Sequence, residues 1–223
     1  MSIKRHFDSE MADLQQMVGD MSRAVLAMMD RCMAMMRRYD QQVLAEIDGL
    51  EQSVNRWQMK IDDLAWKIIA LYQPTASDLR VLLGSIKLAS DLERVGDEII
   101  ALCRRATTVS GCEWHEPPSH LLDMQVMARS LLKDGLQAVS MLDEGLAESI
   151  MPADDAIDHE FEALFQMVKD AIKATPAHTD ALLEYLSMGR SLERIADHAT
   201  NLAEITIFIK KGQDVRHHRM PLN

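Results

Sequence analysis

Two pairs of carboxylate residues are the part of this sequence whose residue types and spacing most suggest chemistry. Glu93 and Asp97 form the first pair, and Glu193 and Asp197 form the second. Residues four apart project from the same side of a helix, so the two charges of each pair lie close together. Like charges this close favour a positive partner, which is either an arginine or a metal ion. Carboxylates without cysteine or paired histidine suit hard or borderline ions: Mg, Mn, Fe, Ca or Zn.

A helical wheel separates these pairs from the other polar residues of their segments. At about 100° per residue, Glu93 and Asp97 align with Leu82 and Ile100, so we expect them on a half-buried face. The solvated face of this segment is expected to carry Arg80, Lys87, Asp91, Arg94, Glu98 and Arg105. In the later segment the expected solvated face carries Asp180, Ser187, Arg194 and His198, and the acidic stripe carries Glu193, Asp197, Asn201 and Glu204.

The residues alone leave two explanations of the acidic pairs open. One is a salt-bridge network in which Arg94, Arg190 and Arg194 neutralise the carboxylates, and the other is a bound metal ion. The chain has no glycine-rich phosphate loop, no Gly-x-Ser-x-Gly and no His-Glu-x-x-His. It also lacks the Glu-x-x-His motif of di-iron bundles, which favours a non-catalytic adaptor over a carboxylate metalloenzyme or metal-storage bundle.

Helix-breaking residues divide the chain into six long segments that have helical periodicity. Asp-Leu-Glu-Arg-Val-Gly-Asp at 91–97 recurs as Ser-Leu-Glu-Arg-Ile-Ala-Asp at 191–197, which indicates an internal duplication. We therefore predict an all-α fold of two tandem three-helix bundles. The expected divisions are a first repeat at 8–108, a linker at 109–118, a second repeat at 119–211 and an irregular tail at 212–223. The fourth helix is expected to span about 119–146.

Composition narrows the class of protein and its partners. The 223 residues carry a net charge of -11, and the basic residues are scattered, which disfavours nucleic acid. Three cysteines without metal-ligand spacing and a start without an apolar signal region indicate the cytoplasm. No apolar run is long enough to span a bilayer, so we expect contact with membranes only through other proteins. The many methionines of the first segment are interpreted as core.

Three short motifs together resemble the PhoU family of phosphate-signalling proteins. They are Gln-Pro-Thr-Ala-Ser-Asp-Leu-Arg at 73–80, the two Leu-Glu-Arg-(Val/Ile)-x-Asp motifs, and Lys-Gly-Gln-Asp-Val-Arg-His at 211–217. The resemblance spans about residues 7 to 217. It implies the tandem-bundle fold and a cytoplasmic, non-catalytic negative regulator of the phosphate-starvation response.

The same resemblance implies partners. Family members are thought to connect a PstB-type ATPase of a phosphate ABC transporter with a PhoR-type sensor histidine kinase, and to moderate phosphate uptake. A homodimer that reaches the inner membrane through these proteins is therefore expected. An accessory to a different phosphate or ion transporter remains an alternative.

Metal binding is implied as well, because some family members hold iron or other divalent metals at Glu/Asp-x-x-x-Asp motifs. In this chain those motifs are Glu93 with Asp97, and Glu193 with Asp197. The further ligands expected are Asp134, Asp154, Asp158 and Asn201 in the second half and Glu51 in the first. The candidate ions are Fe, Zn, Mn and Mg.

Overall fold

Helices account for all the regular structure in the computed structural model, which describes residues 3–112, 116–152 and 154–215. The first half contains α1 (Ile3–Arg37), α2 (Gln41–Tyr72) and α3 (Ala76–Ser110). The second half contains α4 (Ser119–Met141), α5 (Glu144–Ile150), α6 (Asp154–Ala174), a 3-10 turn (Pro176–His178) and α7 (Thr179–Lys211). No strand occurs in these ranges, and the expected all-α fold of tandem bundles is confirmed.

Local sequence signals set the ends of the long helices. The Asp40 carboxylate accepts a 2.8 Å hydrogen bond from the backbone N–H of Gln42 and so caps the start of α2. That helix ends at Gln73, whose φ of 46° is left-handed, and Pro74 follows immediately. Gly212, with a φ of 72°, ends α7 in the conformation that glycine adopts most easily.

The expected fourth helix, about 119–146, is in fact two helices. Leu142 has a φ of 47°, and its backbone N–H turns back to carbonyls of the last turn of α4, which ends that helix. The next residue, Asp143, accepts a 3.1 Å hydrogen bond from the backbone N–H of Leu146 and caps the short α5. The sequence prediction missed this break because no proline or glycine marks it.

An antiparallel interface between α3 and α7, called the seam below, joins the two halves. Near the end of α3, Arg105 Nη1 lies 2.8 Å from Oε2 of Glu184 near the start of α7. At the other end, Arg80 Nε donates a 3.1 Å hydrogen bond to the Ile209 carbonyl. The long helices that carry the two acidic pairs are therefore in direct contact.

One continuous hydrophobic core runs through both halves. The methionines of α1 contribute to it, since Met21, Met28 and Met29 are fully buried, as the core interpretation predicted. Cys32 and Cys103 are also buried there as free thiols. In the described ranges, no helix combines the length and apolar character needed to cross a bilayer.

Candidate functional site: two acidic clusters

The first cluster lies between α2 and α3. Burial raises the pKa of Glu93, the negative charges of Asp97 and Glu51 raise it further, and Arg94 opposes them. Glu51 accepts a 2.5 Å hydrogen bond from the Asn55 side chain, one turn along α2. The sequence therefore named three carboxylates that the fold brings within electrostatic reach of one another.

A cavity of about 350 Å³ adjoins this first cluster. Its lining includes Glu51 and Asp97, together with Asp48 of α2 and Arg104 of α3. Asp48 was missed by the sequence analysis, although its position three residues before Glu51 puts both carboxylates on one face of α2. The cavity therefore has three acidic side chains and one basic side chain on its walls.

The second cluster lies between α6 and α7. Burial raises the pKa of Asp197, and the charges of Glu193 and Asp158 raise it further, while His198 and Arg190 lower it. Asp158 projects from the second turn of α6, so the carboxylates come from both helices. The prediction that Asp158 lies near the Glu193–Asp197 pair agrees with this arrangement.

Arginine supplies part of the positive charge at the second cluster. Arg190 Nη1 lies 2.6 Å from Oε2 of Glu193, and its guanidinium stacks 5.0 Å from the centre of the Phe161 ring. Arg194, the other arginine proposed for such a network, instead reaches across the seam. The salt-bridge explanation therefore applies to Glu193, while Asp197 keeps a raised pKa beside two other carboxylates.

The donor chemistry of both clusters suits a hard metal ion, but their geometry fits one only in part. Carboxylate oxygens are the ligands that Mg²⁺, Mn²⁺ and Fe³⁺ prefer. In the part of the chain that the structure describes, no three side chains of Asp, Glu, His or Cys are placed to share one ion. The side chain of Asp154, one of the predicted ligands, lies outside that part.

Two other predicted ligands occupy different surroundings. Asn201 does not turn to the second cluster: its side-chain nitrogen donates a 3.1 Å hydrogen bond to Asp91 across the seam. Its position on α7 falls between the acidic stripe and the seam, and the Asp91 carboxylate draws the amide to the seam side. Asp134 is half-buried on α4, and no hydrogen bond or ion pair links it to a described carboxylate of the second cluster.

The expected solvated faces of α3 and α7 are right only in part, because Lys87, Arg94 and Arg194 are exposed whereas other residues of these faces form the seam. His198 Nδ1 lies 2.8 Å from Oδ1 of Asp91, and each side chain is only 15% exposed. Arg194 Nη1 lies 2.6 Å from Oε1 of Glu98. A wheel of one isolated helix cannot show that two polar faces will neutralise each other. Conversely, Asp97 and Asp197 are exposed, although the wheel placed them on a half-buried stripe.

Comparison with known proteins identifies two matching units in the chain. The family model named PhoU domain matches residues 18–106 and again residues 121–206. A Burkholderia protein named "Phosphate-specific transport system accessory protein PhoU homolog" is 35% identical over 96% of this chain and 93% of its own length. The Escherichia coli protein named "Phosphate-specific transport system accessory protein PhoU" is 29% identical over 96% of this chain and 89% of its own length.

Solved structures share the fold. The crystal structure of PhoU from Pseudomonas aeruginosa has a TM-score of 0.86 at 28% identity, over 93% of this chain and all (100%) of that one. The phosphate transport system regulatory protein PhoU from Streptococcus pneumoniae has a TM-score of 0.83 at 26% identity, over 94% of this chain and 99% of that one. The similarity therefore covers both bundles and their mutual arrangement.

Proposed function

This chain belongs to the PhoU family, and we propose that it is an accessory protein of a phosphate-specific transport system. The observation that carries the proposal is similarity along both halves to relatives that bear this name, at up to 35% identity over 96% of the chain. Because one hydrophobic core runs through both halves and α3 packs along α7, the unit that acts is the whole chain rather than one bundle.

More specifically, we propose a non-catalytic negative regulator of the phosphate-starvation response. It docks on a PstB-type transporter ATPase and on a PhoR-type sensor kinase, represses the kinase when phosphate is plentiful, and moderates uptake. The docking surfaces lie on a homodimer that reaches the inner membrane through these partners. Such transient contacts commonly bury about 1,200 Å² or somewhat more in total.

Gene deletion tests the regulatory role. We expect the deletion strain to express phosphate-starvation genes in phosphate-rich medium, and the wild-type gene to restore repression. Affinity capture from solubilised membranes is expected to recover the transporter ATPase or the kinase. Normal repression in the deletion strain, with neither protein captured, would favour the alternative that this chain serves another phosphate or ion transporter.

We also propose that the second cluster binds a divalent or ferric ion, with Fe, Mn, Zn and Mg as candidates. The support is the raised pKa of Asp197 beside two further carboxylates, which marks a local excess of negative charge that a cation would relieve. Glu193, Asp197 and Asp158 would hold the ion, which would neutralise their charge and link α6 to α7. Binding at Glu93, Asp97 and Glu51 is expected to be weaker.

Elemental analysis and calorimetry test the metal proposal. The Glu193→Gln/Asp197→Asn variant is expected to lose metal that the wild type retains. Glu148→Gln/Asp170→Asn is the matched control, because it removes the same two charges from exposed positions of α5 and of the last part of α6, away from the cluster. Equal uptake by all three proteins would show that the carboxylates have only a structural role. Uptake of many ions per chain would instead favour a metal-storage function.

A further inference from the structure

A groove, called the α1–α4 groove below, lies between α1 and α4 and is separate from the two acidic clusters. Its cavity measures about 530 Å³, which falls in the range of small-molecule sites. Eight of its sixteen lining residues are aliphatic, and the floor includes Leu88 of α3 and Ile209 of α7. The groove thus draws residues from both halves of the chain and does not include either acidic cluster.

The charge of the groove differs from that of the whole protein. The chain carries 35 acidic and 24 basic residues, yet the lining has no carboxylate and two cations, Arg23 and Lys133. Arg23 forms an ion pair with Asp20 of the preceding turn. Lys133 is exposed and forms no ion pair with a carboxylate among the described residues. An anion would therefore find a favourable partner here.

Lys133 lies at one end of the groove, and the charged end of Arg23 lies about one turn along α1, beside Gly19 and Asp20. The α1 and α4 helices are antiparallel, since Arg129 Nε lies 2.8 Å from Oδ1 of Asp30 while Gln125, one turn earlier, contacts Met36. Continuing this register places Lys133 near the level of Leu26 and Arg23. The other end is formed by aliphatic and neutral polar residues: Val18, Val139, Leu142, Gln15 and Ser140.

A serine hydroxyl supplies a further polar contact in the groove. Ser85 of α3 lines the cavity. Within the described ranges, no hydrogen-bond partner of its side chain is found, whereas the hydroxyls of Ser22 and Ser140 both bond to carbonyls of their own helices. The Ser85 oxygen is open to the cavity rather than fully buried, so it is available to hydrogen-bond a ligand there.

We propose that the α1–α4 groove binds a small amphipathic anion, an alkyl chain that carries a carboxylate. The carboxylate pairs with Lys133, and the chain extends past Arg23 over the aliphatic floor toward Leu142. This occupant is favoured over an uncharged one by Lys133, which forms no ion pair among the described residues, and over a simple inorganic anion by the aliphatic remainder of the cavity. The proposal is independent of any role in phosphate transport.

A variant that fills the groove tests the site. Decanoate is the probe, and its binding is monitored by methyl NMR of the full-length protein. Gly19 lines the groove, and a Cβ added there would meet only the flexible end of Arg23, at 3.4 Å. Gly19→Leu therefore fills the groove, while removing a helical glycine does not weaken the helix. Gly49→Leu is the matched control, because nothing lies within 4 Å of a Cβ at that exposed position of α2.

We expect saturable shifts of the groove methyl groups in the wild type and in Gly49→Leu, and none in Gly19→Leu. A second variant, Lys133→Gln, is expected to weaken decanoate binding about tenfold while leaving the weaker binding of decanol unchanged. Unsaturable shifts spread over the surface, or equal binding by Gly19→Leu, would overturn the proposal.

Two other occupants of the groove are distinguished by the same variants. A change in oligomeric state of Gly19→Leu, measured by light scattering, would make the groove an interface between copies of this chain and would refute the ligand. Saturable binding of a synthetic acidic amphipathic helix, with no response to decanoate, would likewise refute it. Loss of decanoate binding in Gly19→Leu and the weakened binding in Lys133→Gln, with an unchanged oligomer, support it.

Discussion

Gly84 of α3 packs tightly against Ile209 of α7, and we expect a single methyl group there to loosen the seam. A Cβ at this position would lie 2.5 Å from both Cγ1 and Cδ1 of Ile209 on α7. Ile209 is itself buried, at 8% exposure, and can avoid the methyl group only by leaving its present packing and turning into the α1–α4 groove. Gly84→Ala therefore forces a shift of the side chain or of the helix.

The size of the effect follows from two opposing contributions. Overpacking a well-packed interface costs about 1–3 kcal/mol. Replacing a glycine inside a helix by alanine stabilises the fold by about 0.5–1 kcal/mol. Gly49→Ala receives only the second contribution, because nothing lies within 4 Å of its new methyl group. The difference between the two variants therefore isolates the clash and is expected to be about 1–3 kcal/mol.

Urea unfolding of the wild type and the two variants, followed by circular dichroism, measures this difference. Gly49→Ala is expected to unfold at a higher urea concentration than the wild type, and Gly84→Ala at a lower one than Gly49→Ala. In a thermal melt of a chain of this length, a difference of 1 kcal/mol in the free energy of unfolding shifts the melting temperature by about 2–4 °C. Equal stability of the two variants would refute the close packing of α3 on α7.

Three further predictions concern single groups. Because the folded-state pKa values of Glu93 and Asp197 are raised, their contribution to stability is present at low pH and is lost as the pH rises through those values. In the absence of metal, the Glu93→Gln and Asp197→Asn variants should therefore have higher melting temperatures than the wild type at pH about 7. This difference in melting temperature should vanish near pH 4. Contact with a second thiol and burial raise the pKa of Cys32, so native protein should be alkylated at Cys112 and not at Cys32, as peptide mapping would reveal. Arg194→Gln should cost less than about 1 kcal/mol in urea unfolding, because that side chain is 62% exposed. A larger loss would mean that the pair with the less exposed Glu98 anchors the seam.

Much of the fold was predictable because its signals are local or repeated. Helical periodicity, the Asp40 cap and the proline after Gln73 all act within a few residues, and the repeated Leu-Glu-Arg motif revealed the duplication. The break at Leu142 was not predictable in this way. Its left-handed conformation is supported by backbone hydrogen bonds to the end of α4 and by the Asp143 cap of α5, rather than by a residue that prefers a positive φ.

The Glu93–Asp97 and Glu193–Asp197 pairs were predictable from their spacing of four, because the residues of each pair share a helix face. Glu51 and Asp158 lie on neighbouring helices and were expected only from the family resemblance, and the fold brings their charges to Glu93 and Asp197. The hydrogen-bond partner of the Asn201 side chain was not predictable. Whether an amide on α7 turns to α6 or to α3 depends on which acceptor the packed helices present, and that acceptor is Asp91.

The repeated Leu-Glu-Arg motif has two physical roles, and its residues divide between them. Its glutamate and aspartate belong to the two acidic clusters, whereas Arg194 reaches across the seam to Glu98. The two copies are not equivalent, because Arg94 is exposed beside a seam cavity instead. Loss of function after changing Arg194 would therefore implicate the arrangement of the halves. Loss after changing Glu193 would implicate the acidic cluster, even though the two residues are adjacent in the sequence.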